Sequence, residues 1–98
     1  MSTVNFAEVM TKLHDYGAPI EVIVSEAETI GLTLVDYSKE LAVDTASLRA
    51  VTRAYGLSLG DRACLALSQQ RGLPAMTADA AWAKMPGFDI ELIRRKAT

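Results

Sequence analysis

Three carboxylates and one hydroxyl are the residues of this sequence best placed to do chemistry together. Glu8, Asp61 and Asp79 are far apart along the chain, yet each falls near the start of a helix that the apolar spacing predicts, and Thr77 lies two residues before Asp79. Clustered carboxylates repel and raise one another's pKa unless a cation neutralises them, and Mg²⁺ or Mn²⁺ is the natural oxygen-seeking partner. An ion held this way polarises a phosphoryl oxygen and activates water. Each acid also has a purely structural use. Asn5-Phe6-Ala7-Glu8 and Ser58-Leu59-Gly60-Asp61 both have the form of a capping box, with the acid at the third helical position. Asp79 could cap a short helix over 80–84. An acid in a first helical turn also gains from the helix dipole.

The elements that must position these acids follow from periodicity. Phe6, Val9, Met10 and Leu13 keep the i, i+3, i+4, i+7 spacing of an amphipathic helix over roughly residues 5–16, with Gly17 placed to end it in a left-handed turn. Pro19 fits the first turn of a second helix striped by Ile20, Ile23, Val24, Ala27 and Ile30 and stopped by Gly31. Residues 32–37, Leu-Thr-Leu-Val-Asp-Tyr, are rich in β-formers and read as a strand. Ser38 is set to cap a long third helix carrying Leu41, Leu48, Val51 and Tyr55 to Gly56, and Ser58 opens a fourth that ends at Gly72. Residues 73–78 read as a strand and residues 88–94 as an edge strand, with the short helix between them broken at Pro86-Gly87. Strands separated by helices predict an α/β fold with a parallel sheet. In such a sheet, strand C-termini and the N-termini of the following helices share one edge, where ligands bind. Glu8, Asp61 and Asp79, with Thr77 beside them, are therefore expected on that edge. Only three strands are evident, with room for a fourth in the first residues, so the sheet looks thin.

Composition bounds the class. Ninety-eight residues, half of them apolar, suffice for one core and not two, so a single domain over residues 1–98 is expected. No apolar run reaches the length of a membrane span and the first residues lack the features of a secretory signal, which predicts a soluble, cytoplasmic protein with no membrane partner. One cysteine and one histidine exclude an internal disulfide and a structural zinc cluster. The net charge of −2 hides an asymmetry: residues 1–48 carry a balance of −6 and residues 49–98 a balance of +4. A basic half suits a polyanion such as nucleic acid, and it equally suits ordinary solvated helix faces.

Among the remaining residues, Arg62 beside Asp61 could bind a phosphate or pair with a neighbouring acid. Arg49, Arg53, Arg71 and Lys84 could extend a basic track or simply face solvent. His14 reads as a helix-end residue rather than a general base. Cys64 reads as a small buried hydrophobe, Trp82 as packing for the last helix, and Met10, Met76 and Met85 as core filler.

Three segments carry a family likeness. Ser2-Thr3-Val4-Asn5-Phe6-Ala7-Glu8-Val9, then Gly56-Leu57-Ser58-Leu59-Gly60-Asp61-Arg62-Ala63-Cys64-Leu65-Ala66-Leu67, then Leu73-Pro74-Ala75-Met76-Thr77-Ala78-Asp79-Ala80-Ala81-Trp82 resemble the PIN domain, most closely the VapC-type toxins, in order and spacing. The tail Ile90-Glu91-Leu92-Ile93-Arg94 agrees, so the resemblance covers essentially the whole chain. It implies a three-layer fold, a parallel sheet flanked by helices, and an endoribonuclease that hydrolyses RNA phosphodiesters with Mg²⁺ or Mn²⁺. The family's catalytic, metal-site acids fall on Glu8, Asp61 and Asp79, and its Ser/Thr position near the metal falls on Thr77. Family toxins dimerise and are silenced by an antitoxin segment, so RNA, an antitoxin-like protein and a second copy are the implied partners. PIN domains begin with a central strand ending in the first catalytic aspartate, and the resemblance starts after it. That predicts a sheet incomplete at its central strand, a truncated or borrowed-strand domain, and weak turnover by this stretch alone. A non-catalytic PIN remnant that oligomerises or binds an antitoxin is the competing expectation. An unrelated α/β fold binding a phosphorylated ligand at its helix N-termini is the third.

Overall fold

Four α-helices and then a small parallel sheet make up the computed structural model, which describes residues 1–93. The helices are α1 (Thr3–Asp15), α2 (Ile20–Thr29), α3 (Lys39–Thr52) and α4 (Leu59–Arg71). Strands β1 (Ala75–Thr77) and β2 (Ile90–Leu92) pair in parallel with Ala75 opposite Ile90 and Thr77 opposite Leu92, and the 3₁₀ turn Ala80–Lys84 lies between them in sequence. This is the expected α/β arrangement with a partial sheet. No helix among the described residues is long and apolar enough to cross a membrane.

Helix α1 begins two residues earlier than its apolar spacing suggests, and the cause is local. Thr3 N–H donates to Val35 O at 2.9 Å and Val35 N–H donates to Met1 O at 2.9 Å, which holds Ser2 in extended backbone. The Ser2 hydroxyl then accepts the Asn5 N–H, so Ser2 is the N-cap. Asn5 to Glu8 is consequently no capping box: Glu8 lies in the second turn of α1, and the first turn holds no acid. Its carboxylate is released from capping.

The run 32–37 does not form the expected strand. It makes a single parallel bridge, Ser2 to Val35, because the partner segment turns into α1 at Thr3 and offers only one extended residue to pair with. The fourth strand for which the first residues left room is likewise reduced to that single bridge at Ser2. The other two strands are shorter than their sequence patterns, and Arg94 lies outside the described residues.

Helices α3 and α4 supply the densest packing. Ser38 caps α3 through the Leu41 N–H, and Leu41, Thr45, Leu48 and Thr52 form its buried face. The two threonines are tolerated there because each hydroxyl donates to the carbonyl four residues back, Thr45 to Leu41 at 2.6 Å and Thr52 to Leu48 at 2.7 Å. Val51 and Tyr55, expected on the same stripe, are exposed: the 41, 45, 48, 52 spacing turns them outward, and α3 gives way to a 3₁₀ turn at Arg53–Tyr55 before the left-handed Gly56. Leu41 and Leu48 meet Leu65 and Ala66 of α4, Ala75 of β1, and Trp82 and Met85 beyond it. Trp82 and Met85 thus pack as expected, whereas Met76 is 58% exposed on the opposite face of β1.

Candidate functional site

The second turn of α1, which carries Glu8, meets the N-terminus of α4, which carries Asp61, across one glycine. The Asn5 amide of α1 donates to the Gly60 carbonyl of α4 at 2.9 Å and to Glu8 Oε1 at 3.3 Å. The Glu8 carboxylate lies so close over Gly60 that a Cβ there would collide with it. Gly60 is therefore the residue that lets the carboxylate reach the start of α4, where the helix dipole favours negative charge. One residue on, Asp61 closes a capping box: its Oδ2 accepts the Ser58 N–H at 3.1 Å while the Ser58 hydroxyl accepts the Asp61 N–H at 3.2 Å. The sequence pattern Ser58 to Asp61 showed that cap, whereas the roles of Asn5 and Gly60 went unseen. A glycine in the first turn of an otherwise well-patterned helix was the available sign of a close approach.

Glu8 and Asp61 line one cavity of about 740 Å³, bordered by Ser2 and Val35 on one side and by Pro74 to Met76 on the other. Asp79 and Thr77 do not line it. Asp79 is exposed at the head of the 3₁₀ turn, where its Oδ1 accepts the Ala81 N–H at 2.9 Å and its own N–H donates to Thr77 Oγ1 at 3.1 Å. The structure thus brings Glu8 and Asp61 together and leaves Asp79 and Thr77 as a separate pair at the end of β1. Among the described residues, no three His, Cys, Asp or Glu side chains are grouped to hold a metal ion. The fit to a divalent cation is therefore partial: two carboxylates share a cavity, and a three-acid cage is not formed.

Arg62 is not available to phosphate. It is 8% exposed, and its Nη1 donates to the Thr45 carbonyl at 3.0 Å, so the guanidinium is turned into the α3–α4 contact. Its Nε finds no partner among the described residues. The inward turn follows from its place on α4: the buried Ala63, Leu65 and Ala66 share the region, and the long aliphatic stem covers apolar surface. Cys64 is half-buried on the cavity wall, and burial, reinforced by the Asp61 carboxylate, pushes its thiol pKa up. A raised thiol pKa disfavours the thiolate a nucleophile needs. His14 is exposed at the end of α1, its Nδ1 2.9 Å from the Ala18 carbonyl.

No curated protein and no solved structure matches the chain at a significant level. The profile of the PIN domain, a family whose members are in general divalent-metal-dependent nucleases, matches residues 1–87. With most of its length inside that match, the chain belongs to the PIN domain family.

Proposed function

We propose that this chain is an endoribonuclease of the VapC toxin type, hydrolysing RNA phosphodiesters with Mg²⁺ or Mn²⁺, with Glu8, Asp61 and Asp79 as its working acids and Thr77 beside them. The observation that carries the reading is the shared cavity of Glu8 and Asp61 within a chain of the PIN family. Asn5 and Gly60 position the Glu8 carboxylate, and the capping box fixes one oxygen of Asp61 while the other has no hydrogen-bond partner among the described residues. In this reading the protein works in the cytoplasm as a homodimer and is restrained by an antitoxin-like segment.

The test uses asparagine, which keeps the capping acceptor of each aspartate and removes only the charge. Structured RNA should be cut by the wild-type chain with Mg²⁺ or Mn²⁺ and not with EDTA, and Asp61→Asn and Asp79→Asn should each lose cleavage by about 10²-fold or more while folding normally. Unchanged cleavage in both variants contradicts the site assignment. A second reading, a non-catalytic PIN module that oligomerises or binds an antitoxin-like protein, is favoured by one observation: the three acids are not grouped among the described residues. No metal-dependent cleavage by the wild-type chain, together with a stable oligomer in light scattering, supports that reading.

A further inference from the structure

Arg62 is a charge buried next to a site acid, and its surroundings do little to offset the burial. Its one side-chain hydrogen bond among the described residues runs from Nη1 to the neutral Thr45 carbonyl at 3.0 Å, and its Nε has no partner there. Taking a guanidinium out of water is unfavourable unless an anion and a full set of acceptors meet it. Asp61 is the adjacent acid, but one residue is a rotation of about 100° on a helix, and the Asp61 Oδ2 is engaged by the Ser58 N–H. Leu65 and Ala66 fill the α3–α4 contact with apolar atoms. An uncharged side chain at position 62 would pack beside them without the desolvation.

What the arginine supplies is a fixed point. Thr45 is fully buried in the middle of α3, and its hydroxyl bonds back to the Leu41 carbonyl at 2.6 Å. Arg62 therefore ties the start of α4 to the best-packed part of the molecule. Two residues earlier, the Gly60 carbonyl receives the Asn5 amide at 2.9 Å, and Gly60 lies against the Glu8 carboxylate. Residues 60, 61 and 62 thus meet α1, the cavity and α3 in turn. The contacts on either side of Asp61 set how the α4 terminus is rotated about its axis, and an error of about 10–20° is enough to spoil a binding constellation.

We propose that Arg62 is a positioning residue: its tether to the Thr45 carbonyl fixes the rotation of the α4 N-terminus and so holds the Asp61 carboxylate in register with that of Glu8. The unpaired charge lowers stability, as local features kept for function do. This role rests on the reading of Glu8 and Asp61 as a cation-binding pair, whereas the tether itself can be followed without metal.

Arg62→Met in the full chain keeps a long unbranched stem and removes both charge and tether. Its Tm should be at or above the wild-type value, while Mn²⁺ binding, followed by paramagnetic broadening at the amides of residues 8 and 61, should weaken about tenfold. Arg62→Lys, whose ammonium can still donate to the Thr45 carbonyl, should bind Mn²⁺ to within about threefold of wild type. Without metal, the amides of residues 61 and 62, which bond to the Ser58 hydroxyl and carbonyl, should exchange hydrogen about tenfold faster in Arg62→Met, and those of Leu65 and Ala66 should not. Unchanged exchange at 61 and 62 overturns the proposal, and so does unchanged Mn²⁺ binding. A lower Tm, or exchange that quickens evenly along α4, also overturns it, because Arg62 would then hold the fold rather than the terminus. Local quickening in a chain whose wild type binds no Mn²⁺ upholds the tether and overturns only the cation reading of the pair.

Discussion

The α3–α4 half and the α1–α2 half of this molecule bury their apolar residues very differently. Leu41 and Leu65 are each 1% exposed within a cluster that also takes in β1, Trp82 and Met85. Across α1 and α2, by contrast, only Phe6 and Ile23 are buried, while Val9, Leu13, Val22 and Val24 are exposed and Ile30 is 74% exposed. A largely apolar cavity of about 320 Å³ lies between those two helices. Apolar periodicity alone therefore does not measure burial: α2 is rich in apolar residues but buries only Ile23, whereas α3 buries two threonines because α4 covers them. The N-terminal half carries Glu8 and contributes least to cohesion.

The largest expected effect separates the two halves directly. Leu65→Ala should cost about 4 kcal/mol in denaturant unfolding, near the upper end for such truncations, because its surroundings are filled. Ile23→Ala should cost about 2 kcal/mol, since one side of that residue already borders a cavity. Equal losses would break the contrast. Next in size, Ser58→Ala should cost about 1 kcal/mol by removing half of the α4 capping box. A destabilisation within error of zero would mean that α4 is held by packing alone.

The smallest effect is one of pH. The folded state holds the Cys64 proton more tightly than the unfolded chain does, because burial raises its thiol pKa. The associated stability is complete below the ordinary thiol pKa of about 8.5 and declines as pH rises through that range towards the folded value. Replacing Cys64 with Ala should flatten the fall in stability between roughly pH 8 and 10. An unchanged slope would show that other groups carry it.

Much of this was legible in the residues, and the misses have physical causes. Ser38, Ser58, Gly56 and Gly72 mark their helix ends because caps and left-handed turns are local chemistry. The start of α1 was misread because Ser2 is set by a bridge to Val35, thirty-three residues away, which no local pattern reports. Arg62 suggests a phosphate or a neighbouring acid as its partner because Asp61 is adjacent in sequence, and only the α3–α4 contact reveals the Thr45 carbonyl that receives it. Strand order places Glu8, Asp61 and Asp79 together on one edge, whereas the structure brings Glu8 beside Asp61 helix to helix through Gly60, in a cavity that Asp79 does not line.

The central claim is that Glu8 and Asp61 form one cation-seeking pair in a shared cavity. Titrating Mn²⁺ into the isotopically labelled chain and following paramagnetic broadening of backbone amides tests it without requiring turnover. The amides of Glu8, Gly60 and Asp61 should broaden first and together, and Asp61→Asn should abolish the effect at all three. Broadening that begins at the acids of α2, or that persists unchanged in Asp61→Asn, would contradict the account.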